Sequence, residues 1–384
     1  MNRGIRKASY AFAGLAFLVG TGQSFAIEPG DFQPTKDGIT IGIPLAASPP
    51  PGLYADYMTY VGQGAGTGQN SAAGGANFGN GLTAFGVIAI PTLVWSTGYN
   101  ILGANLTLAV SQPFFAVNGF QTNCTNIVIN CVGSPPLSLG PPGAGGGAFY
   151  ENVHNTVGIS SLSWNFHNGW FTSVGFNMQG PDGSQYNGTL NADYWTFTPT
   201  LAVAYLSKDW HLQANFAYDI HTASAGHTGS YAALAYSAIV ANPAFAMPGI
   251  GYTSGNQLYI DWSAKYLVGK WQFGPVGYFK FQTTADSPGS GWTCALLNSV
   301  NVGLPGGNHS YGANGLGCGN ATDIGLGGLA GIDFGPAELE VYATDSVYSQ
   351  DDFKGWGVYT RLSFKLWGPQ APPAPTKGLI TKAQ

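Results

Sequence analysis

Between Trp210 and His221 the chain alternates with a period of two: Trp210, Leu212, Ala214, Phe216, Tyr218 and Ile220 on one parity, His211, Gln213, Asn215, Ala217, Asp219 and His221 on the other. Successive side chains of a strand point to opposite faces, so this segment is a ribbon with one apolar and one polar side. Trp356 to Leu366 alternates in the same way, setting Tyr359, Arg361, Ser363 and Lys365 against Trp356, Val358, Leu362 and Phe364. Leu258 to Tyr266 does too, with Tyr259, Asp261, Ser263 and Lys265 on the polar parity. Further ribbons run over Leu102 to Val110, Trp170 to Gln179, Trp195 to Tyr205, Trp271 to Thr283 and Ile324 to Phe334, and weaker ones over Tyr54 to Tyr60 and Leu82 to Trp95.

Composition decides which solvent the apolar sides meet. Only 8% of the 384 residues are charged, against roughly a quarter in soluble domains, while 45% are hydrophobic and 52 are Phe, Trp or Tyr. So many apolar side chains exclude a disordered chain. Thirteen basic residues under a net charge of −5 argue against nucleic acid as a partner. No uncharged apolar run of about 18 residues follows the first few dozen positions, so helical spans are excluded as well. The remaining solution is an apolar surface made of strands facing lipid. Trp95, Trp170, Trp195, Trp210, Trp271, Trp356 and Trp367 stand at the ends of the ribbons, where amphipathic rings border a bilayer.

Connection lengths supply the topology. Short links (Ser96 to Asn100, His167 to Gly169, Ser207 to Asp209, Val268 to Lys270, Gly335 to Pro336) alternate with long ones (Gly62 to Gly81, Phe114 to Asn152, Pro181 to Asp193, Ala223 to Gln257, Ala285 to Thr322, Thr344 to Gly355). About twelve strands result, an antiparallel up-and-down transmembrane β-barrel with short periplasmic turns and long extracellular loops in a bacterial outer membrane. Pro199 and Pro275, on the apolar parity, are expected at bulges or near strand ends.

The ends of the chain fit export. Arg3, Arg6 and Lys7, the apolar stretch Tyr10 to Gly20 and Ser24-Phe25-Ala26 read as a signal peptide over 1–26. A mature chain from Ile27 holds 10 basic and 18 acidic residues, a formal charge of −8. Residues 27–52 are expected as a periplasmic N-terminal segment, 53–367 as the barrel and the Pro-rich 368–384 as a disordered tail. An oxidising compartment would let Cys124 close with Cys131 and Cys294 with Cys318, and neither spacing suits a metal.

The polar parity defines the interior. Twelve strands leave a narrow lumen. Asp219, His221, Tyr259, Asp261, Lys265, Lys280, Gln282, Glu338, Glu340, Arg361 and Lys365 would line or constrict it, with Asn105, Thr107, Ser161, Ser163, Asn177, Gln179, Thr196, Thr198, Gln213, Asn215, Tyr278, Tyr359 and Ser363 completing a mostly uncharged polar wall. Hairpin symmetry about the loop between Ala223 and Gln257 would set Asp219 across from Asp261 and His221 from Tyr259, with Lys280 or His221 relieving the paired carboxylates. Glu338 and Glu340 would fall near Ser363 and Lys365. Gly62-Gln63-Gly64-Ala65-Gly66-Thr67-Gly68 lacks the Lys-Ser/Thr and the helix of a phosphate loop, and no metalloprotease or nucleophile-elbow motif occurs, so neither an enzyme nor a cofactor is expected.

A family resemblance adds to this reading. Tyr252-Thr253-Ser254-Gly255-Asn256-Gln257-Leu258-Tyr259-Ile260-Asp261, followed by Gly274-Pro275-Val276-Gly277-Tyr278-Phe279-Lys280-Phe281-Gln282-Thr283-Thr284-Ala285-Asp286, resembles the closing half of the "MetA-pathway of phenol degradation" or transporter family of outer-membrane barrels. Pro51-Gly52-Leu53-Tyr54, Leu102-Gly103-Ala104 before Gln112-Pro113, and Trp195 to Tyr205 leading into Trp210 match as well, while the cysteine-bearing loops and the insert around Tyr231 to Gly249 depart from it. The resemblance implies passive passage of hydrophobic or aromatic small molecules. A general porin for small polar solutes and a non-conducting adhesin or wall protein are the alternatives.

Overall fold

The structure is a computed structural model describing residues 36–66, 82–122, 149–183, 194–223, 252–284, 287–288, 301–304, 307–310, 321–350 and 352–369. Twelve antiparallel strands form a closed barrel: β1 (Gly52–Gly66), β2 (Leu82–Ile101), β3 (Ala104–Ser111 continued by Phe114–Thr122), β4 (Phe149–Val153 continued by Val157–Asn165), β5 (Trp170–Gln179), β6 (Thr196–Leu206), β7 (Trp210–His221), β8 (Gln257–Val268), β9 (Trp271–Gln282), β10 (Thr322–Asp333), β11 (Ala337–Gln350) and β12 (Phe353–Trp367). Each strand pairs with its sequence neighbour, and β1 pairs with both β2 and β12, which removes the sheet edge. Closure satisfies the backbone between strands, as hydrocarbon demands. No helix is long and apolar enough to cross a membrane among the described residues.

Parity follows the alternation. Leu93, Leu108, Val174, Phe176, Leu201, Leu212, Phe273, Leu326, Val341 and Val358 point outward and are exposed, whereas Ser163, Gln179, Thr198, Gln213, Asn215, Lys265 and Arg361 are buried inside. Trp95, Trp170, Trp210, Trp271 and Trp367 ring the short-turn end, with Trp195 and Trp356 at the other. At the short-turn end Trp170 lies against Tyr205 and Trp210 against Tyr266, with ring centroids 5.1 and 4.9 Å apart. This is the outer band of a membrane barrel.

Boundaries differ from the expected ones where strands leave the bilayer. The first short turn is Leu102-Gly103, not Ser96 to Asn100: β2 continues to Ile101, and two residues at positive φ (53° and 83°) make the tight reversal of a hairpin. A register shift between Ser96 and Asn100 marks the place where alternation lapses. The last long connection shrinks as well, because β11 runs to Gln350 and β12 starts at Phe353. Beyond the bilayer both faces of a hairpin meet water, so no apolar parity announces the strand. Pro199 and Pro275 lie mid-strand, where the β6–β7 ladder skips Thr198 and Pro199 and the β8–β9 ladder skips Gly274 and Pro275, so their missing N–H costs no sheet bond there. Residues 1–35 and 370–384, and all four cysteines, lie outside the described residues.

Candidate functional site: the lumen and an internal strap

The sequence reading placed 27–52 in the periplasm. From Lys36 onward this segment instead runs inside the barrel, from high in the lumen down to the start of β1. Consecutive tight turns wind it, closed by Ile39 N to Lys36 O, Ile41 N to Gly38 O and Ile43 N to Thr40 O, each 3.3 Å. Gly38 and Gly42 supply positive φ (77° and 86°), which residues with a side chain rarely adopt.

The wall holds this strap chiefly by its backbone. Asp261 accepts from Gly38 N (3.0 Å), Thr40 N (2.8 Å) and Thr40 Oγ1 (2.7 Å). Asn215 Nδ2 donates to Thr40 O (2.9 Å), Tyr342 Oη to Gly38 O (2.9 Å) and Tyr359 Oη to Asp37 O (3.0 Å). Arg361 donates to the carbonyls of Ile39 and Ile41, and Lys265 to that of Gly42 (3.0 Å). Farther down, Ser173 Oγ donates to Leu45 O and Ser96 Oγ to Pro49 O, while Ser48 meets Thr107. A buried segment without regular secondary structure needs such partners, since orphaned backbone polar groups are costly. The polar parity thus supplies the acceptors and donors that water would otherwise provide.

Charges near the lower strap are compensated. Lys265 Nζ lies 2.6 Å from Glu340 and 3.8 Å from Glu338, and Arg361 lies 3.6 Å from both Glu340 and Asp56. Gln272 also donates to Glu338. Above them, on the strap, Asp37 is buried and paired with Lys36 at 2.6 Å.

Apolar anchors complete the seat. Ile41 is fully buried in one cluster with Met58, Ile88, Ile90, Phe115, Val276, Tyr278, Leu329, Tyr342 and Tyr359, with Ile39 and Tyr60 at the margin. Ala46 packs on Ala202 and Ala204. One sector of the inner wall is therefore apolar and aromatic, a departure from the mostly polar lining expected. The signal was present as a loss of alternation: β1 and β2 are apolar on both faces, so their period-two pattern fades.

Of the residues expected to line the lumen, Asp219, His221, Tyr259, Asp261, Lys265, Lys280, Gln282, Glu340 and Arg361 are buried inside. Their pairings differ in places. Asp219 faces Gln257 and Asp261 faces Asn215, while Tyr259 faces Ala217 and Lys280, because the β7–β8 register is set by face matching and barrel stagger, not by symmetric loop closure. The offset of four residues preserves parity, so the residues stay inside while their partners change. Lys280 pairs with Asp352 (2.5 Å), Asp219 accepts from Thr198 (2.6 Å), and His221 Nδ1 meets Thr196 (3.0 Å). Glu338 faces Ser363 and Glu340 faces Arg361, whereas Lys365 is exposed at the lower rim with its Nζ 5.9 Å from the Tyr54 ring.

The lumen is small enough for one strap to matter. Twelve strands about 4.8 Å apart and tilted about 40° give a backbone radius of about 12 Å, and an inner side-chain layer of about 5 Å leaves about 7 Å clear. A wound chain with side chains occupies that width.

Comparisons agree with this architecture. The profile of the family described as "Putative MetA-pathway of phenol degradation" matches residues 67–362. An outer membrane channel from Pseudomonas putida F1 is similar in fold at 9% identity, covering 83% of this chain and 96% of that one, with a TM-score of 0.56. The toluene transporter TbuX of Ralstonia pickettii aligns at 9% identity over 90% of this chain and 96% of its own, with a TM-score of 0.37. No curated protein matches the sequence. The fold is that of a bacterial outer-membrane barrel, and the chain belongs to the family of the putative MetA pathway of phenol degradation.

Proposed function

We propose that the barrel is a passive outer-membrane channel for small hydrophobic or aromatic solutes, closed in this structure by its own 36–51 strap. The observation that carries the proposal is the apolar sector of the inner wall, where Met58, Ile88, Ile90, Phe115, Val276 and Leu329 turn inward beside tyrosine rings. A pore for sugars or ions gains nothing from such a sector, whereas an apolar ring leaving water does. The family's association with phenol degradation is consistent with such solutes.

In this reading Asp261, Lys265, Glu338, Glu340 and Arg361 clamp or brace the strap, while Asp219, His221, Tyr259, Lys280 and Gln282 form the polar outer mouth. Lys365 belongs to the periplasmic rim. With the strap withdrawn, Asp56, Asp219, Asp261, Asp323, Glu338, Glu340 and Asp352 outnumber Lys265, Lys280 and Arg361, so anions are disfavoured.

Liposome swelling tests this with phenol-like, sugar and amino-acid solutes of similar size. The proposal expects the phenol-like solute to enter fastest. Equal rates would identify a general porin. No permeation by any solute, even after strap removal, would identify a wall protein or adhesin.

A further inference from the structure

High in the lumen, Lys36 lies among three tyrosines. Its Nζ is 5.3 Å from the centroid of the Tyr60 ring and 6.0 Å from that of Tyr278. Tyr359 stands beside them, its ring 4.8 Å from Tyr60 and stacked at 4.5 Å on Tyr342. Glycines make room for these rings: a β-carbon at Gly325 would overlap Tyr278, and one at Gly62 or Gly357 would overlap Tyr60. Behind Tyr278 stands Asp323, only 3% exposed. Its Oδ2 accepts from Tyr278 (2.7 Å) and Ser346 (3.1 Å), while Oδ1 has no hydrogen-bond partner among the described residues.

Ring faces carry negative potential and attract cations, and cages of aromatic rings are suited to substituted ammonium ions, which are too bulky and too weakly hydrated to prefer water. Asp323, hydrogen-bonded to the Tyr278 hydroxyl, sets a buried carboxyl with an unused oxygen behind the cage. Lys36 is bound to the strap and not to the wall, so its ammonium fills the cage as a tethered ligand would. Its own carboxylate partner, Asp37 at 2.6 Å, also belongs to the strap. When the strap leaves, both depart together, and the wall keeps three rings and Asp323.

We propose that Tyr60, Tyr278 and Tyr359 with Asp323 form a binding site for a small organic ammonium ion, occupied in this structure by the chain's own Lys36. The site is distinct from passage of a neutral aromatic solute and does not depend on it. Tethering sets a high effective concentration for Lys36. A free ammonium ion therefore binds weakly to the intact protein and more strongly once the side chain is shortened.

The test is calorimetric titration of the full-length mature protein in detergent with choline, and with its neutral isostere 3,3-dimethylbutan-1-ol. Lys36→Ala is expected to bind choline at least tenfold more tightly than wild type does, and at least tenfold more tightly than it binds the neutral isostere. Adding Asp323→Asn or Tyr278→Leu to Lys36→Ala should abolish that gain. Lys36→Met, which refills the cage with a neutral side chain of similar length, should behave like wild type and shows that the strap still seats. Each variant is first checked for heat-modifiable gel migration, so that a misfolded barrel is not scored. If Lys36→Ala binds choline no better than wild type, or binds the charged and neutral compounds alike, the proposal is overturned.

Discussion

Asp261 is the wall residue on which the seated strap depends most. Its hydrogen bonds all run to the strap among the described residues, to Gly38 N, Thr40 N and Thr40 Oγ1, so its removal leaves the β7–β8–β9 ladder intact. Hydrogen bonds to a charged group contribute about 1.5–3 kcal/mol each. Three bonds sharing one carboxylate are not additive, and strap donors regain water on release, so Asp261→Ala should loosen the strap by about 3–4 kcal/mol. At 1.4 kcal/mol per tenfold, the released fraction should rise by roughly two to three powers of ten. Asp261→Asn keeps the size but offers one acceptor oxygen to three donors and turns an NH2 group toward them, so its effect should fall between. Planar-bilayer recording of the purified proteins reads this as the fraction of time spent open. If Asp261→Ala folds into a heat-modifiable barrel and stays as quiet as wild type, the hydrogen bonds to the strap are not what closes the lumen.

Three further outcomes follow from the same geometry. Gly42→Val forces a branched residue into positive φ and overlaps the Glu340 carboxylate; strain of about 1–2 kcal/mol plus the clash should raise open time in the same recordings without lowering barrel stability. Leu201→Arg places a guanidinium on the lipid side at mid-strand, opposite Val174 and Phe216, and should cost about 2–4 kcal/mol in a urea unfolding titration, whereas a loss under about 1 kcal/mol would argue that this face does not meet hydrocarbon. Intact mass of the exported protein should begin at Ile27 and show alkylation of Cys124, Cys131, Cys294 and Cys318 only after reduction; adducts before reduction would refute both disulfides.

Much of the barrel is legible in the sequence because lipid and water impose opposite demands on adjacent residues. Trp210 to His221 and Trp356 to Leu366 show this directly, and parity carried Lys265, Arg361 and Asp261 inside without any structural knowledge. What alternation cannot report is what fills the interior. The strap has no period, since its residues are held by wall side chains from seven strands, β2, β3, β5, β7, β8, β11 and β12, distant in sequence. Register was also hidden: a shift by an even number of residues leaves every face unchanged, so Asp219 opposite Gln257 and Asp219 opposite Asp261 read alike. The apolar inner sector showed only as weakness of the pattern in β1 and β2, where Met58, Ile88 and Ile90 turn inward.

Deleting residues 36–49 while keeping residues 1–35 tests the central claim most directly, with the pore sized by polymer exclusion in planar bilayers. The account predicts a wild-type barrel that passes almost no current and a deletion variant with a stable pore of about 7 Å radius. Wild-type and deletion proteins with the same conductance and the same exclusion size would contradict it.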